Sequence, residues 1–513
     1  MTHHFTNRLV NLLLLVISSS TLNFMLNSCE NKKEVHIGQF NFQSDIGFPK
    51  LEGSASFDSI SGEYHLAGAG ENIWFDKDEF QFISQKITGD FILTARIKFI
   101  GEGENEHRKI GIMVREELFG GAAHVSAVVH GDGLAALQFR PHTNSNTEEV
   151  RSELSAPNII RLERQGQKFT FSMAVEGEAM QSIGLDESDL SQELYLGLFV
   201  CSHDKGVLEE AVFDNVRLSI PAPNDFVPYK DYIGSHIEIL DLESGKRNII
   251  FSSPKSLQAP NWSPDGQLLY YNCEGKIYAL NLADYSSKEI DTGLAQNNNN
   301  DHVLSFDGQL LGISDHTEDP NDASLIYTLP AAGGTPERLT NEGPSYLHGF
   351  SPDKQFAVFT GGRNNAAQLD LYKIELQTKE EIQLTDTPGL DDGSEYSADG
   401  QFIYFCSTRT GTMQVYRMNA DGSEQTQLTF DEFNDWFPHV SPDGSQLVFI
   451  SYPQEIAADD HPFYKRVAIR TMPAKGGTPT VIAYLYGGQG SMNVFNWSPD
   501  GKKIAFVSNT VIE

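Results

Sequence analysis

Trp497-Ser498-Pro499-Asp500-Gly501, with the apolar stretch Lys503-Ile504-Ala505-Phe506-Val507 close behind it, is the phrase on which the fold turns. Pro-Asp-Gly is tight-turn chemistry: proline presets φ, aspartate bonds to nearby backbone, and glycine takes a positive φ without strain. The aromatic residue before it and the β-prone run after it read as one strand entering a turn and the next leaving it. Five earlier copies stand upstream: Trp262-Ser263-Pro264-Asp265-Gly266, Leu304-Ser305-Phe306-Asp307-Gly308, Phe350-Ser351-Pro352-Asp353-Lys354, Tyr396-Ser397-Ala398-Asp399-Gly400 and Val440-Ser441-Pro442-Asp443-Gly444. Their serines lie 42, 46, 46, 44 and 57 residues apart.

Each copy leads into an apolar strand such as Phe402-Ile403-Tyr404-Phe405. A second strand follows (Leu371-Tyr372-Lys373-Ile374, Val415-Tyr416-Arg417-Met418), then a closing strand ending in Leu-Thr at 339–340, 384–385 and 428–429. Four short strands per repeat, six times over, predict a six-bladed β-propeller. Only one strand fits after the sixth phrase, while two unassigned strands lie at 237–241 and 248–251. These N-terminal strands are therefore expected to complete the last blade, which removes two open edges at once. Residues 232–513 resemble the TolB-type propeller. That resemblance implies the fold, and with it a binding platform, a gate or, in some members, an enzyme.

The first half carries no repeat. Residues 38–220 alternate apolar and polar residues in short runs, as in Phe91-Ile92-Leu93-Thr94-Ala95-Arg96-Ile97 and Leu194-Tyr195-Leu196-Gly197-Leu198-Phe199-Val200. Such runs between turn residues predict a β-sandwich, so the whole chain reads as all-β. The phrases KITGDFILTARIKF, KIGIMVREE, RLERQGQKFTFS and LYLGLFVCSH resemble a concanavalin A-like (laminin-G-like) jelly roll. Such folds often bind glycans. A linker at 221–231, opened by Pro221-Ala222-Pro223, separates the two domains.

Residues 1–29 read as an export signal, with Arg8, an apolar run from Leu9 to Ile17 too short to span a bilayer, and small polar residues beyond. It ends at Leu26-Asn27-Ser28-Cys29, which resembles a lipoprotein lipobox with Asn27 in place of the usual small residue. The resemblance implies lipidation of Cys29, a polar tether at 30–37, and a place in the cell envelope, anchored to the outer membrane or cell surface by acyl chains alone. The formal charge of −33, from 37 Lys+Arg against 70 Asp+Glu, repels phosphate backbones and excludes nucleic acid as a partner. Cys201, Cys273 and Cys406 make neither a disulfide framework nor a metal spacing and are expected as buried free thiols. No G-x-S-x-G elbow, P-loop or dinucleotide fingerprint is present.

Propeller geometry sorts the candidate site residues. Residues just before each serine begin an innermost strand, on the face opposite the Pro-Asp-Gly turns, and are expected to ring the channel mouth. They include Asn261, Asp301, His302, His348, Asp392, Glu395, His439 and Asn496, with Arg363, Arg409 and His461 from neighbouring loops. Imidazole with carboxylate suits acid–base work or a divalent ion. His302, His348, His439 and His461 are the candidate ligands for manganese, calcium or zinc, and Glu395 with His439 the candidate catalytic pair. Asn261, Asp301, Arg363, Asp392, Arg409 and Asn496 are the candidate ligand contacts. The opposite face is expected to offer turns only.

Two functions fit. One is a monomeric envelope lipoprotein binding a carbohydrate or an envelope protein through its propeller mouth and jelly roll. The other is a metal-dependent lyase or hydrolase of glycans. The second is similar to the oligogalacturonate lyases, propellers that hold manganese among histidines, although their ligand motif is not reproduced here. TolB itself carries a mixed α/β N-terminal domain, so the expected jelly roll speaks against a TolB role.

Overall fold

The computed structural model describes residues 33–318, 323–363 and 368–512. Among these every regular element is a β-strand. Two compact units emerge: residues up to Val175 with Met180–Arg217, and Glu176–Ala179 with Leu218–Glu513. The export signal, Cys29 and residues 30–32 lie outside the described residues, while Lys33–Ile37, expected as tether, form a strand paired with Phe40–Ile46.

The first unit contains an eight-stranded and a seven-stranded antiparallel sheet. Strand Phe91–Ile100 shows what holds it. Phe91, Leu93, Ala95 and Ile97 are buried while Thr94 and Arg96 are half-buried and Lys98 is exposed, the two-residue period of a strand with one inward face. The central strands of the larger sheet, Lys109–Arg115 and His124–His130, are buried on both faces. Asp78 is held there between two buried arginines, 2.6 Å from Arg140 Nη2 and 3.2 Å from Arg115 Nη2. A buried carboxylate persists only when paired in this way.

The second unit is a ring of six blades. Five are four-stranded sheets whose strands follow in chain order. Blades 1 to 5 open on Leu257–Trp262, Asn298–Leu304, Ser345–Phe350, Asp391–Tyr396 and Asn434–Val440. The repeated phrase builds the same turn in each blade. In blade 1 the Ser263 hydroxyl donates to Asp265 Oδ1 at 2.6 Å and accepts the Leu268 N–H at 2.9 Å. Asp265 Oδ1 also accepts the Gln267 N–H, and Gly266 closes the turn at φ 73°. Lys354 takes the glycine's place in blade 3 at φ 57°, a conformation that a side chain makes less favourable.

The sixth blade closes as the sequence predicts. Lys503–Asn509 pairs along its whole length with Ser235–Asp241, which pairs in turn with Arg247–Ser253. Trp497 bridges to Ile504 on the inner side. The join is apolar: Ile237, Ala505 and Val507 pack with Leu257, Leu269 and Leu280 of blade 1. Glu238 is buried in the same blade and gripped by Arg247, Nη2 to Oε1 2.7 Å. Cys201, Cys273 and Cys406 are buried free thiols.

Candidate functional site at the propeller mouth

An irregularity of strand pairing decides which side chains reach the mouth. The innermost strands of blades 1 to 5 all carry a bulge, between Gln258 and Asn261, Asn298 and His302, Leu347 and Gly349, Asp392 and Glu395, and Trp436 and His439. A bulge puts an extra residue in one strand and re-aims the side chains beyond it. Ala259, Gly393 and Phe437 take positive φ within it, at 53°, 63° and 53°. Residues at or before the bulge (Asp301, His348, Asp392, Phe437) line the cavity, and residues just past it turn into the blade interfaces.

The cavity has a volume of about 800 Å³. Amides are prominent in its lining: Asn272, the run Asn297 to Asn300, Gln489 and Asn493, with Gln489 Nε2 donating to Asn300 Oδ1 at 3.4 Å. Tyr346, Phe437, Phe463, Tyr229 and Tyr232 supply aromatic faces. Asp301, His348 and Asp392 come from three successive blades. His348 Nε2 lies 3.0 Å from Asp392 Oδ1 as an ion-pair contact, poorly aligned for a hydrogen bond, and its Nδ1 has no partner. Asp392 Oδ1 also accepts the Thr360 hydroxyl and the Gly393 N–H, each at 2.7 Å. His461 Nε2 stands 4.0 Å from Asp392 Oδ2, its ring packed edge-on against Trp436.

Burial and charge divide the two aspartates. Burial lifts Asp301 to about 7, against the pull of His348. Burial would also lift Asp392, but its contact with His348 outweighs that and holds it at about 2. Burial lowers His348 in turn, yet its close contact with the Asp392 carboxylate, with Asp301 beyond, leaves it raised. Burial thus biases Asp301 toward its protonated form, while Asp392 stays ionised beside His348.

The remaining expected site residues do not line this cavity, and Asn261 and Glu395 border a second one instead. Asn261, Glu395, His439 and Asn496 occupy the same place, two residues before the phrase's serine. Asn261 Oδ1 accepts the N–H of Leu304, and Glu395 Oε1 the N–H of Val440, so each ties its blade to the next. Both His439 nitrogens are occupied, by Glu395 at 2.7 Å and by the Met492 carbonyl at 2.9 Å. Asn496 donates to the Ala505 carbonyl. His302 is fully buried, and burial lowers its imidazole to about 4. The four histidines therefore do not converge. Among the described residues no three His, Cys, Asp or Glu side chains are grouped so as to hold a metal ion.

The arginines repeat as well. Arg363 pairs with Glu381 through Nε at 2.7 Å and Nη2 at 3.0 Å, and Arg409 meets both Asp391 oxygens at 3.0 Å. Arg470 does the same with Asp431 and Asp435, and each arginine lies over aromatic rings of its own blade. These are blade rivets, and none of them lines the cavity.

A family model for the TolB β-propeller domain matches residues 348–462. The uncharacterised protein Atu1656 of Agrobacterium fabrum is 43% identical over 280 residues, covering 54% of this chain and 94% of that protein. The chain belongs to the TolB-like propeller family. The structure of a putative TolB from Agrobacterium tumefaciens matches with 42% identity and a TM-score of 0.52, over 55% of this chain and all of that one. A Tol-Pal system protein TolB of Francisella tularensis is 27% identical over 182 residues, which are 34% of this chain and 41% of its own length.

This TolB-like propeller has a second opening that the sequence did not lead us to expect. On the Pro-Asp-Gly face lies a smaller cavity of about 270 Å³, lined by Trp262, Phe306, Phe350, Tyr396, Trp497 and the turn prolines. His348 touches both cavities. The signal was in plain view: the residue before each serine is aromatic in four of the six copies.

Proposed function

We propose that the chain is a cell-envelope binding protein whose propeller mouth takes a carbohydrate. The observation that carries this reading is the pairing, in one cavity of about 800 Å³, of an amide-rich lining with several aromatic faces. Amides donate and accept toward vicinal hydroxyls, and aromatic rings cover the apolar faces of sugars. Carboxylates at Glu274, Asp301, Asp392 and Asp459 outnumber the single lysine, Lys255, which is itself paired with Glu274 at 2.6 Å. A neutral or amino sugar suits this lining better than a sugar acid, and the engaged states of Arg363 and Arg409 point the same way.

Lipidation of Cys29 would hold the protein at the membrane. The two-sheet first unit, read as a concanavalin A-like jelly roll, would contribute a further glycan contact. The likeness to a Tol-Pal system protein favours a second reading, a protein segment bound at the same mouth. The metal-assisted lyase or hydrolase is less favoured, because Glu395 and His439 are committed to tying blades together.

A glycan array followed by calorimetry on the purified mature chain tests the first reading. Tyr346→Ala and Asn299→Ala should each weaken the best glycan at least about tenfold with little change in melting temperature. Absence of any glycan binding, or binding that survives both substitutions, would refute it.

A further inference from the structure

The second opening carries an inference independent of the carbohydrate reading. We infer that the Pro-Asp-Gly face is a docking site for a basic peptide segment of a partner protein, anchored by one large apolar side chain. Three features of the face support this.

The first is the socket itself. Its volume of about 270 Å³ lies at or below the ~300 Å³ where sites for whole small ligands begin, and it suits a single side chain. The wall is apolar, made by Trp262, Phe350, Tyr396, Val440 and Trp497. Phe306 stands at the edge, 39% exposed where its counterparts in four of the other copies are prolines. An aromatic or aliphatic anchor in such a pocket is the usual energetic centre of a protein interface.

The second is the rim. The turns around the socket carry Asp265, Asp307, Asp353, Asp399, Asp443 and Asp500, every one of them exposed. In each, Oδ1 accepts the serine hydroxyl and a backbone N–H, interactions that lower the carboxyl's pKa, Lys354 being the larger cause at Asp307. Of the three lysines near this ring, Lys354 is paired with Asp307, and Lys502 and Lys503 flank Asp500. A ring of six carboxylates, of which Asp307 and Asp500 are offset by lysines, around an apolar socket is complementary to an apolar residue flanked by lysine or arginine.

The third is unmet hydrogen bonding in the wall. Trp262 is 7% exposed and its indole Nε1–H has no partner, whereas the equivalent Trp497 Nε1–H donates to the His439 carbonyl at 3.0 Å. His348, also in the wall and 4% exposed, has a free Nδ1. Buried polar groups are rarely left unpaired. A docked main chain offers both an acceptor and a donor.

Selection of a random displayed peptide library on the immobilised full chain is the test. Selected peptides are then synthesised and measured by fluorescence anisotropy. The expected result is enrichment of one aromatic or large aliphatic residue flanked by at least two Lys or Arg. Affinity should fall at least about tenfold between 50 and 500 mM salt. Ala398→Arg, which places a long cationic side chain at the socket edge, should abolish binding, and Phe306→Ala should weaken it severalfold. Asp265→Asn with Asp399→Asn keeps the turn acceptors while removing two charges, and should flatten the salt dependence. Selected peptides that are acidic, that lack an apolar anchor, or that bind Ala398→Arg as well as the parent would overturn the inference. So would a selection that yields no binder. Glycan binding at the other mouth should be unchanged in every variant, which separates this outcome from the fate of the carbohydrate reading.

Discussion

Replacing Asp301 by asparagine should stabilise the propeller, and by an amount that depends on pH. Asp301 is 7% exposed and burial raises its carboxyl from 3.8 to about 7. Between those values the folded state keeps a proton that the unfolded chain has released, so stability falls as pH rises. The slope is at most about 1.4 kcal/mol per pH unit, so three units amount to at most about 4 kcal/mol. Asparagine has nearly the same shape and does not titrate. The variant should therefore match the parent below pH 4 and gain progressively up to pH 8. At about 2 °C per kcal/mol for a unit of this size, the melting-temperature difference should open by up to about 8 °C. Thermal melts of both proteins from pH 4 to pH 8 measure it. A constant difference across that range, or a parent that gains on the variant as pH rises, would refute the argument that Asp301 is held protonated by burial.

Three further outcomes are expected. His439→Ala leaves the Glu395 carboxylate buried without its imidazole and should cost about 3 kcal/mol in urea denaturation, with glycan affinity unchanged. Loss of affinity at full stability would instead return His439 to the site. Arg409→Ala leaves Asp391, 1% exposed, without its guanidinium and should cost about 3–5 kcal/mol by the same measurement. Cys29→Ala should move the protein from the membrane fraction to the soluble fraction of expressing cells, and retention would remove the lipidation proposal.

The fold was legible because Ser-Pro-Asp-Gly is a local device: Ser263, Asp265 and Gly266 make their turn from their own hydrogen bonds, so the motif means the same thing in every blade. The closing strands were legible because six phrases left one blade short of partners. The site was only half legible. Counting back from the serine assumes an unbroken two-residue alternation, and the bulge breaks it. Asp392 and Glu395 look equivalent in the sequence, yet one faces the cavity and the other pins Val440 of the next blade. A bulge depends on pairing with the second strand, which no single stretch reveals. Arg363 and Arg409 misled for a related reason, since their partners Glu381 and Asp391 lie 18 residues away, one forward and one back. The run Asn297 to Asn300 was visible, but four amides in a row read as a polar loop until the fold brings Gln489 and Asn493 to the same cavity.

The pairing of Ser235–Asp241 with Lys503–Asn509 also sets an order of events. Every other blade joins residues within a few dozen positions of one another, while this one joins Ser235 to Asn509. Closing a loop of some 270 residues instead of about 45 costs roughly 1.6 kcal/mol more in chain entropy, before any contact repays it. The seam is therefore the last contact to form as the polypeptide emerges, because its second strand is made after all five other blades. Those five must wait as an open arc, edges unpaired, until residues 503–509 arrive. The same seam is where a pull on either end of the ring is felt first, so one strand pair acts both as the clasp of assembly and as the fuse of mechanical failure.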